Sequence, residues 1–209
     1  MPVLPLVEAK AKLRAELIAR RAAVAARFGV DAAARIAERL IREFCLPEGG
    51  VVAGYWPLEG ELDPRPALQR LADAGRTLAL PRMHGRQNPL VFHLWRLEEP
   101  LVPGGFKVME PAAASPVVRP DVVLAPLLAF DREGRRLGYG KGYYDRTLAE
   151  LRRDRPDLLV IGLAFAAQEV AEVPADHTDE RLDAVVTEAG AHLCSPRAAA
   201  ASWSSEPGA

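Results

Sequence analysis

The sequence has few cysteines, few aromatic residues and no long uninterrupted hydrophobic run. Cys45 and Cys194 are the only cysteines among 209 residues and neither lies in a CxxC pair, so we expect reduced thiols and no disulfide framework. The longest apolar run, residues 122–130, contains Pro126 and is too short to span a bilayer as a helix. The first apolar residues precede the first charges, which is the reverse of a secretory signal. We therefore expect a cytoplasmic protein with no membrane partner.

An excess of either charge is also lacking. The chain has 27 Lys and Arg against 28 Asp and Glu, a formal net charge of −1, so it has no overall basic surface for nucleic acid or an acidic membrane. The hydrophobic fraction of 49% is ordinary for a globular domain. We expect a monomer that binds small molecules and no nucleic acid, and any anion site has to be local.

Zinc ligands and covalent nucleophiles are not indicated either. The four histidines show no HExxH or other close ligand spacing, which argues against zinc; they are His84, His93, His177 and His192. No serine lies in a G-x-S-x-G elbow, so covalent hydrolase chemistry has no support.

Hydrophobic periodicity predicts that helices and strands alternate along the chain. Helices are predicted at residues 7–28, 31–44, 64–74 and 143–153. Strands are predicted at residues 51–55, 77–80 (stopped by Pro81), 90–95, the start of 121–130, the first half of 157–165, and 183–188, with loop and short strands over 96–120. This alternation predicts the α/β class: a single three-layer Rossmann-like domain with a mostly parallel central sheet flanked by helices. We expect this domain over residues 1–197 and a disordered tail over 198–209.

A glycine-rich turn between a predicted strand and a predicted helix carries the clearest chemical signal. Gly138, Gly140 and Gly142 alternate with Tyr139 and Lys141, so the backbone can adopt positive φ and approach a ligand closely. Such a turn at the start of a helix directs N–H groups and the positive helix end toward one anion. Lys and Arg outnumber Asp and Glu by seven to four over residues 131–153. These features predict a phosphate site, whereas the structural alternative is a tight turn with a solvated lysine.

This turn also resembles a known family. The stretch RLGYGKGYYD at residues 136–145 resembles the signature of 5-formyltetrahydrofolate cyclo-ligases, also called methenyltetrahydrofolate synthetases. Lys10 and Arg14 match an N-terminal basic pair of that family, and residues 55–63 and 178–188 match two further blocks. One departure is visible, because His177 lies one position before the place where the family carries histidine.

The resemblance implies a ligase that uses ATP to close 5-formyltetrahydrofolate into 5,10-methenyltetrahydrofolate, with release of ADP and phosphate. It implies catalytic roles for Lys141 and Tyr143. The ATP-binding residues would be Lys10, Arg14, Arg136, Gly138, Tyr139, Gly140, Lys141, Gly142, Tyr143 and Tyr144. Lys10 and Arg14 are four residues apart and share one face of a helix, where the structural alternative is a solvated basic surface.

The resemblance also implies a folate pocket and a magnesium site. Folate would be bound by Tyr55, Trp56, Glu61, Tyr139, Lys141 and Tyr143. Asp145 and Asp179 would hold Mg²⁺ together with the ATP phosphates, since Mg²⁺ prefers one or two carboxylates plus phosphate oxygens. The structural alternatives are a first-turn helix acid for Asp145 and a loop cap for Asp179, and Asp183 is predicted to be structural.

Two other classes of function are compatible with a nucleotide loop. The first is a non-catalytic nucleotide- and folate-binding regulatory module, which would have no need to keep Lys10, Arg14, Glu61, Lys141 and Asp145 together. The second is a nucleic-acid-binding protein, which the neutral net charge disfavours.

Overall fold

Strands and helices alternate through residues 5–202, which are the residues that this computed structural model describes. The helices are α1 (Leu6–Glu43), α2 (Arg65–Asp73), α3 (Tyr143–Asp154) and α4 (Pro196–Ala201), with 3₁₀ turns at Gly105–Lys107 and Ala166–Gln168. The strands are β1 (Val51–Ala53), β2 (Thr77–Met83), β3 (Leu90–Leu94), β4 (Val102–Pro103), β5 (Met109–Glu110), β6 (Val122–Ala125), β7 (Ala129–Phe130), β8 (Arg136–Leu137), β9 (Leu159–Leu163), β10 (Ala184–Val186) and β11 (Ala191–Leu193).

Seven of these strands form one mostly parallel sheet in the order β11-β10-β9-β6-β1-β2-β3. The five central strands are parallel, and the edge strands β3 and β11 pair antiparallel with β2 and β10. Strands β4 and β5 form a small hairpin, as do β7 and β8. The predicted α/β class with a mostly parallel sheet is confirmed.

Alternating side chains place helices on both faces of this sheet. Val52 and Leu124 pack into a core that includes α1, α2 and α4, whereas Ala53 and Val123 pack into a second core that includes Leu148 of α3. Neighbouring residues of a strand point to opposite faces, so a strand buried on both sides reads as a continuous apolar run. The predicted three layers are therefore present, with the sheet in the middle.

Helix α1 is continuous, so the predicted break between residues 28 and 31 is wrong. Gly29 and Asp31 are accommodated inside a 38-residue helix. A glycine inside a helix costs about 1 kcal/mol relative to alanine. The buried residues on both sides of it, including Leu17, Ile36 and Leu40, favour one uninterrupted helix, because each buried aliphatic side chain contributes about 1.5–3 kcal/mol.

Strand β2 also runs past Pro81, where the sequence predicted a stop. The carbonyl of Leu78 accepts a hydrogen bond from Trp95 N–H, so even-numbered residues of β2 point their backbone groups at β3. The missing N–H of Pro81 therefore points to the opposite side, where β1 has already ended at Ala53. Proline is tolerated because no ladder hydrogen bond is lost.

The fold extends beyond residue 197, into the range predicted as a tail. Ala198 is fully buried within α4, and the helix is capped by Ser195, whose hydroxyl also donates to buried Asp183 at 2.7 Å. Backbone pairing of Cys45 N–H with Ala201 O holds the helix end. Residues 203–209 of the predicted tail lie outside the described residues. No helix within residues 5–202 is long and apolar enough to cross a membrane.

The order of the strands determines where a ligand can bind. From β1 the chain first adds β2 on one side and later adds β6 on the other. Loops leaving the carboxyl ends of β1 and β6 therefore diverge, and in open parallel sheets such a switch point forms a crevice that binds ligands.

Substitution of Gly134, in the turn between β7 and β8, tests how closely this turn packs against Leu182. Its φ is +77°, and a Cβ there would lie 2.4 Å from the carbonyl oxygen of Leu182. Gly75 has the same φ of +77° with no atom within 4 Å of the equivalent Cβ. We predict that Gly75→Ala lowers the free energy of unfolding by about 1 kcal/mol through backbone strain alone. Gly134→Ala should lower it by about 3 kcal/mol because overpacking adds to that strain. Urea unfolding measures both, and equal losses would contradict the packing described here.

Candidate active site

A cleft of about 890 Å³ opens at the carboxyl ends of β1, β2 and β6. All of the predicted site residues line it: Lys10, Arg14, Tyr55, Trp56, Glu61, Arg136, Gly138, Tyr139, Gly140, Lys141, Gly142, Tyr143, Tyr144, Asp145 and Asp179. Residues predicted from distant parts of the sequence thus lie together in one cavity.

The glycine loop between β8 and α3 has the geometry expected of an anion-binding turn. Gly140 and Gly142 have φ of +85° and +65°, whereas Gly138 is not in the positive-φ region. Gly142 is the N-cap residue of α3 and supplies no side-chain cap, so the first N–H groups of the helix remain available to a ligand. The structure therefore supports an anion at this helix end.

Two cations from α1 hold the segments around this loop. Lys10 Nζ lies 2.5 Å from Asp179 Oδ2, and Arg14 Nε donates to Gly138 O at 2.8 Å. The guanidinium of Arg14 also lies against Gly140, where a Cβ would come within 3.0 Å of its Cζ. The predicted shared helix face is real, and it faces the glycine loop.

Arg136 and Asp145 form an ion pair at the base of the loop. Arg136 Nη2 donates to Asp145 Oδ1 at 2.6 Å, and its guanidinium lies 5.7 Å from the ring centre of Tyr144. Arg136 is only 7% exposed. Burial raises the pKa of Tyr144, so its hydroxyl stays protonated. Arg136 therefore binds Asp145 at the base of the glycine loop and stabilises the loop through this ion pair.

Glu61 belongs to a buried charged network that the sequence did not predict. Its Oε1 lies 3.4 Å from Arg21 Nη1, and its Oε2 accepts from Leu58 N–H at 2.8 Å. Arg21, on α1, also donates to Leu127 O and to the hydroxyl of Tyr139. Burial raises the pKa of Glu61 above its ordinary value, although the Leu58 N–H and the Arg21 charge oppose that shift. Burial, followed by the Glu61 charge, also raises the pKa of Tyr139.

Aromatic side chains form the wall next to Glu61. The Tyr55 hydroxyl donates to Leu62 O at 2.9 Å, and burial raises its pKa. Trp56 packs edge-on against Trp95 with ring centres 6.2 Å apart, and the guanidinium of Arg65 lies 5.2 Å from the Trp56 ring. This wall offers a flat ligand ring aromatic surfaces beside a carboxylate.

Lys141 and Tyr143 lie at the mouth of the cleft. Lys141 is exposed and forms no salt bridge with any residue of the described range 5–202. Tyr143 packs edge-on against Phe106 at 6.2 Å, and its hydroxyl lies 3.3 Å from Gly85 O. Both side chains are thus placed to contact a ligand.

The carboxylates present fit a phosphate-bound metal better than a metal bound by protein alone. Among the described residues no group of three or more His, Cys, Asp or Glu side chains converges on one point. Hydrogen bonds from described residues engage only Oδ1 of Asp145, and Asp145 lines the cleft, so Oδ2 remains available as an acceptor. One or two carboxylates are what Mg²⁺ requires when phosphates and water supply its other ligands.

Two arginines that line or border the site carried no recognised sequence signal. Arg21 lies four residues after Leu17 on the buried face of α1, and a cation on an apolar stripe is the signal that was available. Arg146 follows Asp145 and lines the cleft, but nothing in its local sequence distinguishes it from a surface arginine.

Comparison with known proteins decides the family. The model of the 5-formyltetrahydrofolate cyclo-ligase family matches residues 7–188. The chain belongs to the 5-formyltetrahydrofolate cyclo-ligase family. The resemblance stated from residues 136–145 is thereby confirmed.

Individual cyclo-ligases match over most of the chain. The 5-formyltetrahydrofolate cyclo-ligase of Escherichia coli K12 is 36% identical over 141 residues, covering 65% of this chain and 76% of the relative. The mouse cyclo-ligase is 26% identical over 192 residues, covering 86% and 94%. The solved 5,10-methenyltetrahydrofolate synthetase of Aquifex aeolicus is 29% identical, with a TM-score of 0.74 over 88% of this chain and 92% of that one.

The buried Arg21–Glu61 pair can be tested without any ligand. We predict that Arg21→Met raises the pKa of Glu61 further, because the cation that favours the ionised carboxylate is lost. It should also lower the free energy of unfolding by about 3 kcal/mol, as expected when one member of a buried ion pair is removed. NMR titration of ¹³C-labelled glutamate and urea unfolding measure the two effects. Arg20→Met, at an exposed neighbour, is the matched control, and equal behaviour of the two variants would contradict the network.

Proposed function

We propose that this chain catalyses the ATP-dependent cyclisation of 5-formyltetrahydrofolate to 5,10-methenyltetrahydrofolate, releasing ADP and phosphate. The observation that carries the proposal is the meeting of two unlike sites in one cleft. A glycine loop with flanking cations suits a triphosphate, and a buried carboxylate beside aromatic rings suits a pterin. Membership of the cyclo-ligase family supports the pairing of these two ligands.

The proposed reaction has two steps. The formyl oxygen attacks the γ-phosphorus, so an O–P bond forms while the bond to the β,γ-bridging oxygen breaks and its electron pair stays on ADP. N10 then attacks the formyl carbon, the carbon–oxygen bond breaks with its electron pair leaving on phosphate, and N10 loses its proton. Both steps depend on positioning and on neutralising phosphate charge rather than on a protein nucleophile.

The residues around the glycine loop are proposed to bind ATP. The N–H groups at the start of α3 and the loop from Gly138 to Tyr144 would hold the phosphates, with Lys10 and Arg14 on the α1 side. Lys141 has no anionic partner among the described side chains, so its charge is free to follow the γ-phosphate as it is transferred. Arg136 supports this arrangement through Asp145.

The buried network around Glu61 is proposed to bind folate. The ionised Glu61 carboxylate would accept hydrogen bonds from ring N–H groups, and the Arg21 charge favours that ionised form against the opposing effect of burial on the Glu61 pKa. Tyr55 and Trp56 would line the pterin pocket, while Tyr139, Lys141 and Tyr143 border both ligands. The reacting formyl group would then lie between Glu61 and the loop.

Asp145 and Asp179 are proposed to hold Mg²⁺ through the ATP phosphates. When bound, the metal supplies positive charge to the phosphate oxygens. Each carboxylate is now paired with a protein cation, Asp145 with Arg136 and Asp179 with Lys10. These cations hold the carboxylates at the cleft, beside the proposed phosphate site.

The proposal includes a monomeric enzyme in the cytoplasm with small-molecule partners only. Every residue assigned a role comes from one chain, so no second subunit is needed to complete the site. Size-exclusion chromatography with light scattering tests the monomer directly.

The decisive experiment mixes the purified chain with 5-formyltetrahydrofolate, ATP and magnesium and follows the ultraviolet absorbance of methenyltetrahydrofolate. Product that depends on both ATP and metal, with ADP and phosphate in equal amounts, would support the proposal. Folded protein that binds both ligands without turnover would instead indicate the regulatory module.

In the same assay we predict that Lys141→Ala lowers kcat by about 100-fold or more through lost charge stabilisation. Lys12→Ala, an exposed α1 lysine outside the cleft, should match the parent, and a normal kcat for Lys141→Ala would remove Lys141 from the mechanism.

Glu61 should govern folate binding and its pH dependence. We predict that Glu61→Gln raises the KM for folate about tenfold or more and changes the KM for ATP little, because a charged hydrogen-bond acceptor contributes about 1.5–3 kcal/mol. Since burial raises the pKa of Glu61 and binding uses its ionised form, kcat/KM for folate should fall as the pH drops through that raised pKa. The Gln variant should lack this acid limb after subtraction of the enzyme-free rate. Glu59→Gln, at an exposed neighbour, is the control, and a larger effect on the ATP KM would move Glu61 to the nucleotide side.

A further inference from the structure

Arg146, in the first turn of α3, is a partly buried cation. Its Nε and Nη2 are buried and donate a hydrogen bond to none of the residues that the structure describes. Within residues 5–202 its guanidinium also forms no salt bridge. Leaving buried donors unpaired is costly, so two such donors on one side chain indicate that water or a bound anion completes them in the folded protein.

Comparison with other arginines shows that this arrangement is specific to Arg146. Five further arginines in the described part of the chain have one buried nitrogen without a partner, but each of them also forms an ion pair with a carboxylate; they are Arg21, Arg39, Arg82, Arg136 and Arg152. Arg146 has two such nitrogens, and no carboxylate of residues 5–202 forms an ion pair with it. Arg146 therefore differs from these five arginines, each of which is held by an ion pair.

The guanidinium of Arg146 is held against the glycine loop. A Cβ built on Gly142 would lie 2.6 Å from Arg146 Nη1, and the Arg146 Cζ lies 5.3 Å from the ring centre of Tyr143. The guanidinium thus turns back from its own helix turn toward the loop, and Tyr143 supports its face by a cation–π contact. Arg14 lies in the same way against Gly140, so two guanidinium groups flank two successive loop glycines.

We propose that Arg146 is a further catalytic residue, which binds the terminal phosphate of ATP and stabilises its charge during transfer. This inference rests on the proposed function and extends it to a residue for which the sequence offered no signal. Arginine is suited to the role because its planar donors match two phosphate oxygens at once. The charge on those oxygens changes as the formyl oxygen–phosphorus bond forms and the bond to ADP breaks, and a fixed guanidinium stabilises that change without reorganisation.

The same chemistry would also suit a carboxylate of the glutamate tail of folate. The position of Arg146 favours phosphate, since its neighbours are Gly142 and Tyr143 at the helix start. The proposed folate carboxylate Glu61 is instead held by Arg21 and Leu58. The test therefore separates the two sources of anion.

Equilibrium binding gives a readout that does not require turnover. Isothermal titration calorimetry measures the affinities of the full chain for ATP and for AMP. The parent is compared with Arg146→Ala, Arg146→Lys and Arg153→Ala. Arg153 is the control, because it is an exposed arginine of the same helix outside the cleft. We expect Arg146→Ala to weaken the affinity for ATP about tenfold or more and to leave the affinity for AMP unchanged. Arg146→Lys should recover part of the loss, and Arg153→Ala should match the parent. Unchanged ATP binding by Arg146→Ala would overturn the proposal.

Kinetics then distinguish phosphate from folate. With the parent active, Arg146→Ala should lower kcat by about 100-fold and leave the KM for 5-formyltetrahydrofolate within about twofold of the parent. A raised folate KM with normal ATP binding would assign Arg146 to the glutamate tail and overturn the proposal. If the parent binds ATP but does not turn over, the proposed function fails while the ATP and AMP titrations still decide the role of Arg146.

Thermal unfolding separates a ligand-binding role from a structural one. Because its buried nitrogens are unpaired, removal of the guanidinium should leave the Tm of the ligand-free protein unchanged or raise it by about 2 °C. A Tm that falls in both Arg146→Ala and Arg146→Lys, together with loss of ATP and folate binding, would show a structural role and contradict the inference.

Discussion

The structure depends on cations that one face of helix α1 presents to the loops of the sheet. Lys10, Arg14 and Arg21 lie on this face, and each holds a different segment: the loop before β10, the glycine loop and the segment after β1. The positions i, i+4 and i+11 fall within a narrow arc of an α-helix, so a single continuous helix positions all three. Leu17 lies on the same face, fully buried, and anchors the helix to the body of the protein. The distance between the proposed nucleotide and folate halves of the cleft is therefore set by a continuous helix rather than by loops.

Local features of the sequence were sufficient to predict the α/β class with a mostly parallel sheet, the glycine loop and the start of α3. The glycine loop is recognised from its alternating glycines, the buried strand before them and the amphipathic segment after them. These features lie within a few residues of one another, so the prediction does not depend on contacts with distant parts of the chain. The continuous α1 could not be predicted, because the residues that override Gly29 become buried only after the sheet has formed. Pro81 could be accommodated only because the neighbouring strand has ended. In both cases tertiary packing outweighed a correct local preference.

The charges of the site were harder to predict than its backbone. Glu61 was identified through the family resemblance, but its partner Arg21 is 40 positions away and belongs to a helix whose exposed and buried faces both carry arginine. The carboxylates Asp145 and Asp179 are each bound to a cation of the cleft. Neither pair follows from the local sequence, because each cation becomes a neighbour of its carboxylate only when the strands, the loops and α1 have packed together.

The Lys10–Asp179 pair joins residues that are 169 positions apart. Contacts of such long range form only after the intervening chain has been organised, and they slow folding because a large loop must close. A ligand that binds in this cleft cannot act as an early template for the fold, because the cleft does not exist until α1 meets the segment before β10. During synthesis on a ribosome the cleft cannot form before residue 179 has been made, so the preceding chain must become organised without the stabilisation that a ligand bound there would supply.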